Sequence, residues 1–327
     1  MTLSPHPSEP QPTPEPEAAD LIDVVVVTYN SAEVVDRLLD SIPAAMGWLP
    51  FRVVVVDNSS PDRTREVVAA RGDCDLVEAP NDGYAAGINR GVDALAGSGP
   101  ILVLNPDLSL APGAVPEMAG LLATPGTGVV VPVLRDTDGT TSRSLRRWPT
   151  LLRSTGFGDS RFPLLSEVVN EPEEYARVHE IEWATGALML IKRGCYEAVG
   201  AFDESFFMYS EETEFCLRAR QSGYATVFTP HAAAVHAEGA SGRNPDLYAM
   251  QVLNRIRLYR RSHRLPASSA LFALVLARET VWAIRGNADS RATVRALVSP
   301  ARKPALLPWP GGPLSSPGAV PRRIGRE

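Results

Sequence analysis

Two acidic groupings are placed where they could do chemistry. The first is Asp107, at the end of Pro100 to Asp107, PILVLNPD, where an apolar run stops on Asn105-Pro106-Asp107. Such a run bounded by turn residues reads as a buried parallel strand, and in open α/β sheets ligands gather at the carboxyl ends of these strands. Pro106 fixes φ and offers no ladder donor, so the carboxylate after it is carried on a stiff corner. A carboxylate so placed suits Mg2+ or Mn2+ bridging a diphosphate, because these ions take one or two protein carboxylates and complete their shell with phosphate oxygens. The competing reading is a cap on the next turn or helix. The second grouping, Glu211-Glu212-Thr213-Glu214, opens a helix that runs to Gly223. Carboxylates there favour a helix N-terminus whatever else they do. Glu211 and Glu212 lie ~100° apart around a helix and Glu214 ~200° from Glu212, so the three cannot all face one ligand. His236, at the end of an apolar strand, is a ligand or a structural histidine. Cys74, Cys195 and Cys216 have no paired or metal-type spacing, which excludes a zinc site and fits structural thiols in a reducing compartment.

The elements that must position these groups alternate in type. Ile22 to Thr28 and Phe51 to Asp57 are β-branched strands, each followed by a turn and a helix: Asn30-Ser31 before Val34 to Met46, and Asn58-Ser59-Ser60-Pro61 before a helix ending near Ala70. Leu76 to Ala79 is a third strand, Asn81-Asp82-Gly83 a turn, Ala85 to Ala96 a helix and Ile101 to Leu104 a fourth strand. This alternation predicts βαβ units, a mostly parallel central sheet and an α/β fold. Right-handed crossovers place the loops after Thr28, Asp57, Ala79 and Leu104 on one edge, where Thr28, Asn30, Asp57, Asn58, Asn81, Gly83, Gly87, Asn89 and Asp107 converge. Val129 to Leu134 is a further strand, with a hairpin at Asp138-Gly139 leading to Thr140 to Leu145. Residues 146–180 read as a mobile insertion over the cleft. Trp183 to Lys192 returns to strand, with Gly186 allowing a ligand close to the backbone. Ala225 to Pro230 and Ala232 to His236 are two more strands.

Composition bounds the rest. The chain has 327 residues and a net charge of −6, enough length for one large domain with appendages. Residues 1–20 are Pro- and Glu-rich, lack a basic and apolar leader, and are expected to be a disordered arm. The longest apolar run, Ala270 to Ala277, is interrupted by Arg278-Glu279, short of the ~20 residues a bilayer span needs. A cytoplasmic protein is therefore expected. From Arg243 to Lys303 there are twelve Arg or Lys against three Asp or Glu, a basic helical extension at 243–298 suited to meeting anions. Arg255, Arg257, Arg260, Arg261 and Arg264 could hold it on an anionic membrane, or form an ordinary solvated helix face. The tail, 299–327, is Pro-, Gly- and Arg-rich and expected to be disordered. Nothing in the chain points to nucleic acid.

The ordered set of motifs resembles the inverting glycosyltransferases of family 2, which have the GT-A fold, and most closely their bacterial rhamnosyltransferase-like branch. The set is VVVVTYNS at 24–31, VVVVDNSSPD at 53–62, NDGYAAGINRG at 81–91, VLNPDLSL at 103–110, the stretch ATGALMLIKRG through EETEFCLRAR at 184–220, and VHAEGAS at 235–241. Each motif alone is weak. The resemblance covers about 22–265 and implies a GT-A domain at 21–242, with a nucleotide-binding half to 110 and an acceptor half beyond. It implies that Thr28, Asn30 and Asp57 hold the nucleotide, a carboxylate suiting the imide N–H of uracil or thymine. It places Asn58, Asn81, Gly83, Gly87 and Asn89 near the ribose and diphosphate, and makes Asn105-Pro106-Asp107 an Asp-x-Asp metal motif with Asn at its first position, leaving Asp107 as main ligand and His236 as a second. Glu211-Glu212 matches a Glu-Asp pair whose second acid is the general base, here Glu212, with Glu211 as the alternative. The implied reaction is a single displacement that inverts the sugar, moved from a dTDP- or UDP-linked donor, with dTDP-L-rhamnose favoured, to a hydroxyl of a glycan or polyprenyl-linked acceptor. The implied cofactor is Mn2+ or Mg2+, and the setting is cell-wall or surface polysaccharide synthesis. A dehydrogenase is disfavoured because no G-x-G-x-x-G follows the first strand. A nucleotidyltransferase, or a sugar-nucleotide-binding protein with a decayed site, stays open.

Overall fold

The computed structural model describes residues 21–155, 162–237 and 244–299. The N-terminal arm, the centre of the expected insertion, most of the closing HAEGAS segment, Arg243 and nearly all of the tail lie outside the described residues. The chain begins as expected: β1 (Ile22–Thr28), α1 (Val35–Met46), β2 (Phe51–Asp57), α2 (Thr64–Ala69), β3 (Asp75–Glu78), α3 (Tyr84–Leu95) and β4 (Ile101–Leu104). It continues with β5 (Leu108–Leu110), α4 (Ala114–Leu122), β6 (Thr127–Arg135), β7 (Leu145–Arg146), β8 (His179–Ile181), β9 (Trp183–Ala184), β10 (Leu188–Ile191), α5 (Arg193–Val199), α6 (Glu211–Gln221) and β11 (Ala225–His236). Three helices close it: α7 (Pro245–Ser262), α8 (Leu265–Ile284) and α9 (Ala288–Val298).

The main sheet runs β3-β2-β1-β4-β10-β6-β11-β5, with β8 paired to β11. The first four strands are parallel, with Val24 to Val27 opposite Val53 to Val56. These valines are fully or almost fully buried on both faces, which is why β1 and β2 read as unbroken runs of valine rather than alternating. One face packs on α1 and α4, the other on α3, α5 and α6. Gly87 brings α3 down on β1, since a Cβ there would meet Val27 at 2.6 Å.

Several expectations are corrected. Trp183 to Lys192 is not one strand: β9 pairs with β7 in a small second sheet, and β10 inserts antiparallel between β4 and β6. The hairpin turn at Asp138-Gly139 forms, but its second arm gives only an isolated bridge from Thr141 to Arg135. The two strands at 225–236 are one, β11, with a register shift between Thr229 and Ala233 around Pro230. α2 starts at Thr64, so Pro61 is not its first residue, and Asp62 accepts from the Thr64 amide instead. Asn30-Ser31 is not a side-chain cap of α1; the Ser31 carbonyl accepts from Val34 and Val35. The cysteines are free, and burial pushes the Cys195 and Cys216 thiols up to about 12.

The basic extension is packed against the segment ahead of α6 rather than appended. α7, α8 and α9 share an apolar cluster with Phe207, Met208 and Tyr209, the residues just ahead of α6. Arg257 and Arg261 cap the loop that leads there, bonding Ser205 and Asp203 and stacking over Phe206 at 5.0 and 4.6 Å. Arg255 pairs with the buried Glu167 at 3.0 Å. Three of the five arginines expected to meet a membrane are thus engaged inside the protein.

Candidate active site

β4 ends at Leu104 and the chain turns over Pro106 and Asp107, the Asn105 amide donating to Ala187 at 2.8 Å. The chain then crosses to the far edge as β5, where Leu108 pairs with His236 and the Ala237 amide bonds the Asp107 carbonyl at 3.0 Å. This pairing sets His236 Nε2 3.2 Å from Asp107 Oδ1. The buried Oδ1 has no aligned hydrogen-bond donor. A carboxylate and an imidazole so joined, beside the Asn105 amide, fit a divalent ion as two protein donors. Among the described residues no group of three or more acidic, His or Cys side chains gathers for a metal. The rest of the shell would therefore come from phosphate and water, the usual habit of Mg2+.

Tyr209 and Ser210 lie ahead of α6 with φ of 69° and 76°. Two successive non-glycine residues in the left-handed region cost of order 1–3 kcal/mol each and persist only where the surroundings hold them. Asn254 of α7 does this, its amide donating to the carbonyls of Met208 and Tyr209 at 2.8 and 3.2 Å. The turn delivers Glu211 and Glu212 into the interior, each with one buried carboxylate oxygen lacking a hydrogen-bond partner. Burial, then the charge of Glu212, holds the Glu211 carboxyl far above its usual range. Burial also raises Glu212, to about 7, against the pull of nearby backbone N–H groups and the Arg146 guanidinium. Glu214 instead clasps Arg218, 2.7 Å away, one turn along the helix.

Gly186 lies against Glu212: a Cβ on it would sit 3.0 Å from Glu212 Cβ. Tyr84 donates to the Gly186 carbonyl at 3.5 Å, and burial together with the charges of Glu211, Glu212 and Asp107 raises its phenol well above its ordinary value. Tyr84 is therefore within electrostatic reach of both the acid pair and Asp107. Neither Tyr84 nor Arg146 carries a recognisable signal in the sequence, because an aromatic or a basic residue has no spacing that marks a cleft.

At the loops after β1 and β2, Thr28 Oγ1 donates to Asp57 Oδ1 at 3.0 Å, and Ser60 binds both Asp57 oxygens through its hydroxyl and amide. Asp57 is fully buried, so this carboxylate first of all ties the two loops together. Asn30 is exposed with φ of 54°, its amide donating to Ser60 Oγ. Asn58 is buried and reaches the Gly83 carbonyl at 3.1 Å, leaving its own oxygen buried and unpartnered. Asn81 is half-buried. Gly83 has φ of 105° and abuts the Phe207 backbone, whose carbonyl accepts from the Tyr84 amide. Two expected ligand residues lie elsewhere. Gly87 is a helix-to-sheet contact, and Asn89 is buried, fastening the 202–204 segment through Phe202, Glu204 and Tyr196. A groove of about 500 Å3 opens at the start of β6 and β11, by Thr127, His179, Arg220 and Tyr224, at the other end of β11 from His236, and holds none of these residues.

The family model for glycosyl transferase family 2 matches residues 23–191, a stretch that takes in the nucleotide-side loops and the Asp107 corner. The chain belongs to glycosyl transferase family 2. This glycosyltransferase is 30% identical over 245 residues to the N-acetylglucosaminyl-diphospho-decaprenol L-rhamnosyltransferase of Mycobacterium tuberculosis, covering 69% of this chain and 79% of that one. It is also 30% identical over 208 residues to a low-salt glycan biosynthesis hexosyltransferase of Haloferax volcanii, covering 62% of each. Its fold is that of GalNAc-T7 solved with UDP, GalNAc and Mn2+, at a TM-score of 0.58 and 14% identity over 86% of this chain and 54% of that one. A mannosyltransferase from Pyrobaculum calidifontis, solved with GDP-Man and Mn2+, aligns at a TM-score of 0.53 and 20% identity over 88% of this chain and 78% of that one. The GT-A architecture expected from the motifs is thus the one observed.

Proposed function

We propose that this glycosyltransferase moves L-rhamnose from dTDP-L-rhamnose to a hydroxyl of a polyprenyl-diphosphate-linked sugar by a single inverting displacement, in cell-wall or surface polysaccharide synthesis. The observation that carries the reaction type is the pair of acidic sites, the Asp107–His236 corner and the Glu211–Glu212 turn, each with a buried carboxylate oxygen that lacks a hydrogen-bond partner. The donor and acceptor follow the mycobacterial relative, an N-acetylglucosaminyl-diphospho-decaprenol L-rhamnosyltransferase. Cytoplasmic placement, with the membrane within reach, belongs to this reading.

Asp107 and His236 would hold Mg2+ or Mn2+, which when bound offsets charge gathering on the departing diphosphate. Thr28, Asn30, Asp57 and Asn58 shape the nucleotide side, and Asn81, Gly83 and Asn105 border the diphosphate. Glu212, with its carboxyl near neutrality, takes the proton of the attacking hydroxyl. Burial and the charge of Glu212 raise the neighbouring Glu211 carboxyl well above its ordinary range, so the two acids titrate as a pair. A base acting on the acceptor hydroxyl makes a single displacement, and hence inversion, the reaction this reading expects.

The test is thermal stabilisation by dTDP-rhamnose, UDP-sugars and GDP-sugars, each with and without Mn2+ or Mg2+. A ligand at 100 times its Kd adds ~2.7 kcal/mol, so the reading predicts a cation-dependent rise with dTDP-rhamnose that exceeds the others. A larger rise with a UDP-sugar would replace the donor. A rise with a nucleoside triphosphate alone would favour a nucleotidyltransferase, and stabilisation without any transfer or hydrolysis a binding protein.

A further inference from the structure

We infer that α8 is a membrane-docking helix, lying along an anionic bilayer surface with its outer face in the headgroup region. The twenty residues of α8 have a mean hydropathy of 1.4 over the most apolar window, and only 22% of that window is buried. It is long and apolar enough to cross a bilayer, which the sequence expectation, stopping at Arg278-Glu279, did not allow for. It does not need to cross one. Ser268, Leu271, Val275 and Glu279 are buried, and at ~100° per residue they form one stripe. Tyr248 of α7 donates to Glu279 Oε1 at 3.3 Å, and Arg278 pairs with the same carboxylate. Withdrawing α8 into lipid would strip that buried carboxylate of its partners.

The opposite stripe is Ala273, Leu274, Ala277, Val281 and Ile284, all exposed, Ile284 to 80%. No charged residue interrupts it over its ~17 Å of helix. Its ends carry exposed arginines, Arg264 before α8 and Arg285 after it, with Arg295 exposed on α9. Trp282 is half-exposed with the Arg285 guanidinium 5.3 Å from its ring. An apolar stripe bounded by arginines and an aromatic is complementary to an anionic headgroup layer over acyl chains. It would not suit a second copy of the same stripe, because a symmetric pairing would bring like charges together. The inference moves the docking surface from the α7 arginines, which are engaged internally, to the outer face of α8. It adds a place to the proposed reaction and stands or falls apart from it.

The experiment is flotation of the full chain with phosphatidylcholine vesicles, with and without about one third phosphatidylglycerol, alongside nucleotide-sugar stabilisation of the same protein. Binding to the anionic vesicles, weakened by salt, is expected. Leu274→Glu with Val281→Glu should abolish it, and Arg264→Glu or Arg285→Glu alone should each weaken it about five-fold or more, the worth of one arginine near such a surface. All variants should keep wild-type melting and nucleotide-sugar stabilisation, since these residues are exposed. Failure of the wild type to float at low salt while stabilisation persists would overturn the docking inference alone. So would unchanged flotation of the double variant, or self-association of the wild type that the double variant removes without any vesicle binding.

Discussion

Glu211 is buried and Glu212 beside it half-buried, and desolvation raises both carboxyls above their ordinary pKa. A carboxyl at about 7 has direct consequences. If Glu212 must be ionised to accept a proton, kcat/KM should rise with pH through a limb centred near 7. The stability effect has the opposite sense. Between its ordinary 4.5 and about 7 the folded protein binds a proton at Glu212 that the unfolded chain has released, so stability falls as pH rises through that window and stays low above it. Glu212→Gln removes this cost. The variant should melt higher than wild type at pH 8, by a margin that shrinks towards pH 4.5; an equal margin at both pH values would contradict the burial argument. Gly186→Ala tests the same carboxylate sterically, because the new methyl sits 3.0 Å from Glu212 Cβ and 3.3 Å from its Cγ. Activity should fall ~10- to 100-fold through displacement of the base, with little change in melting; full activity would show that Glu212 need not stay where it is. The spacing of acids, glycines and asparagines identified which loops meet, but not which side chains face the cleft. Asn89 and Gly87 lie in the same motif as Asn81 and Gly83, yet one turn further along α3 they point into the protein.

The turn before α6 depends on an element distant in sequence. Asn254 on α7 satisfies two carbonyls of a backbone that two left-handed residues would otherwise strain. Asn254→Leu leaves those carbonyls unpartnered and should cost ~1–3 kcal/mol, read by urea denaturation, with a fall in single-turnover rate as the acid pair loses its placement. A stability loss with no change in rate would make α7 a packing element only. The βαβ half was legible because the central parallel strands β1, β2 and β4 are mostly buried on both faces and the long helices α1 and α3 are amphipathic, so period and burial agree. Beyond β4 that agreement ends. β10 is as apolar as its neighbours, and nothing in an apolar run reveals that it runs antiparallel. β5, α4 and α5 are short, and no cap or long period announces them. The β11 bulge at Pro230 reads in the sequence as a strand end.

Across the whole molecule, the fold brings together two sites that differ in origin. The sheet edge presents Asp107 and His236 through pairing of β5 with β11, and the helical extension presents Glu211 and Glu212 through the braced turn. These should divide the work, one side holding the donor and the other activating the acceptor. The direct test measures donor binding and turnover together for Asp107→Asn, Glu212→Gln and Glu211→Gln, with dTDP-rhamnose, divalent ion and a lipid-linked acceptor. Asp107→Asn should lose cation-dependent donor binding while melting near wild type. Glu212→Gln should bind donor as wild type does and lose ~10²- to 10⁴-fold in kcat, and Glu212→Asp, with its carboxylate drawn back by one methylene, should fall between. Normal turnover by Glu212→Gln beside a dead Glu211→Gln would contradict the account, as would full activity of Asp107→Asn.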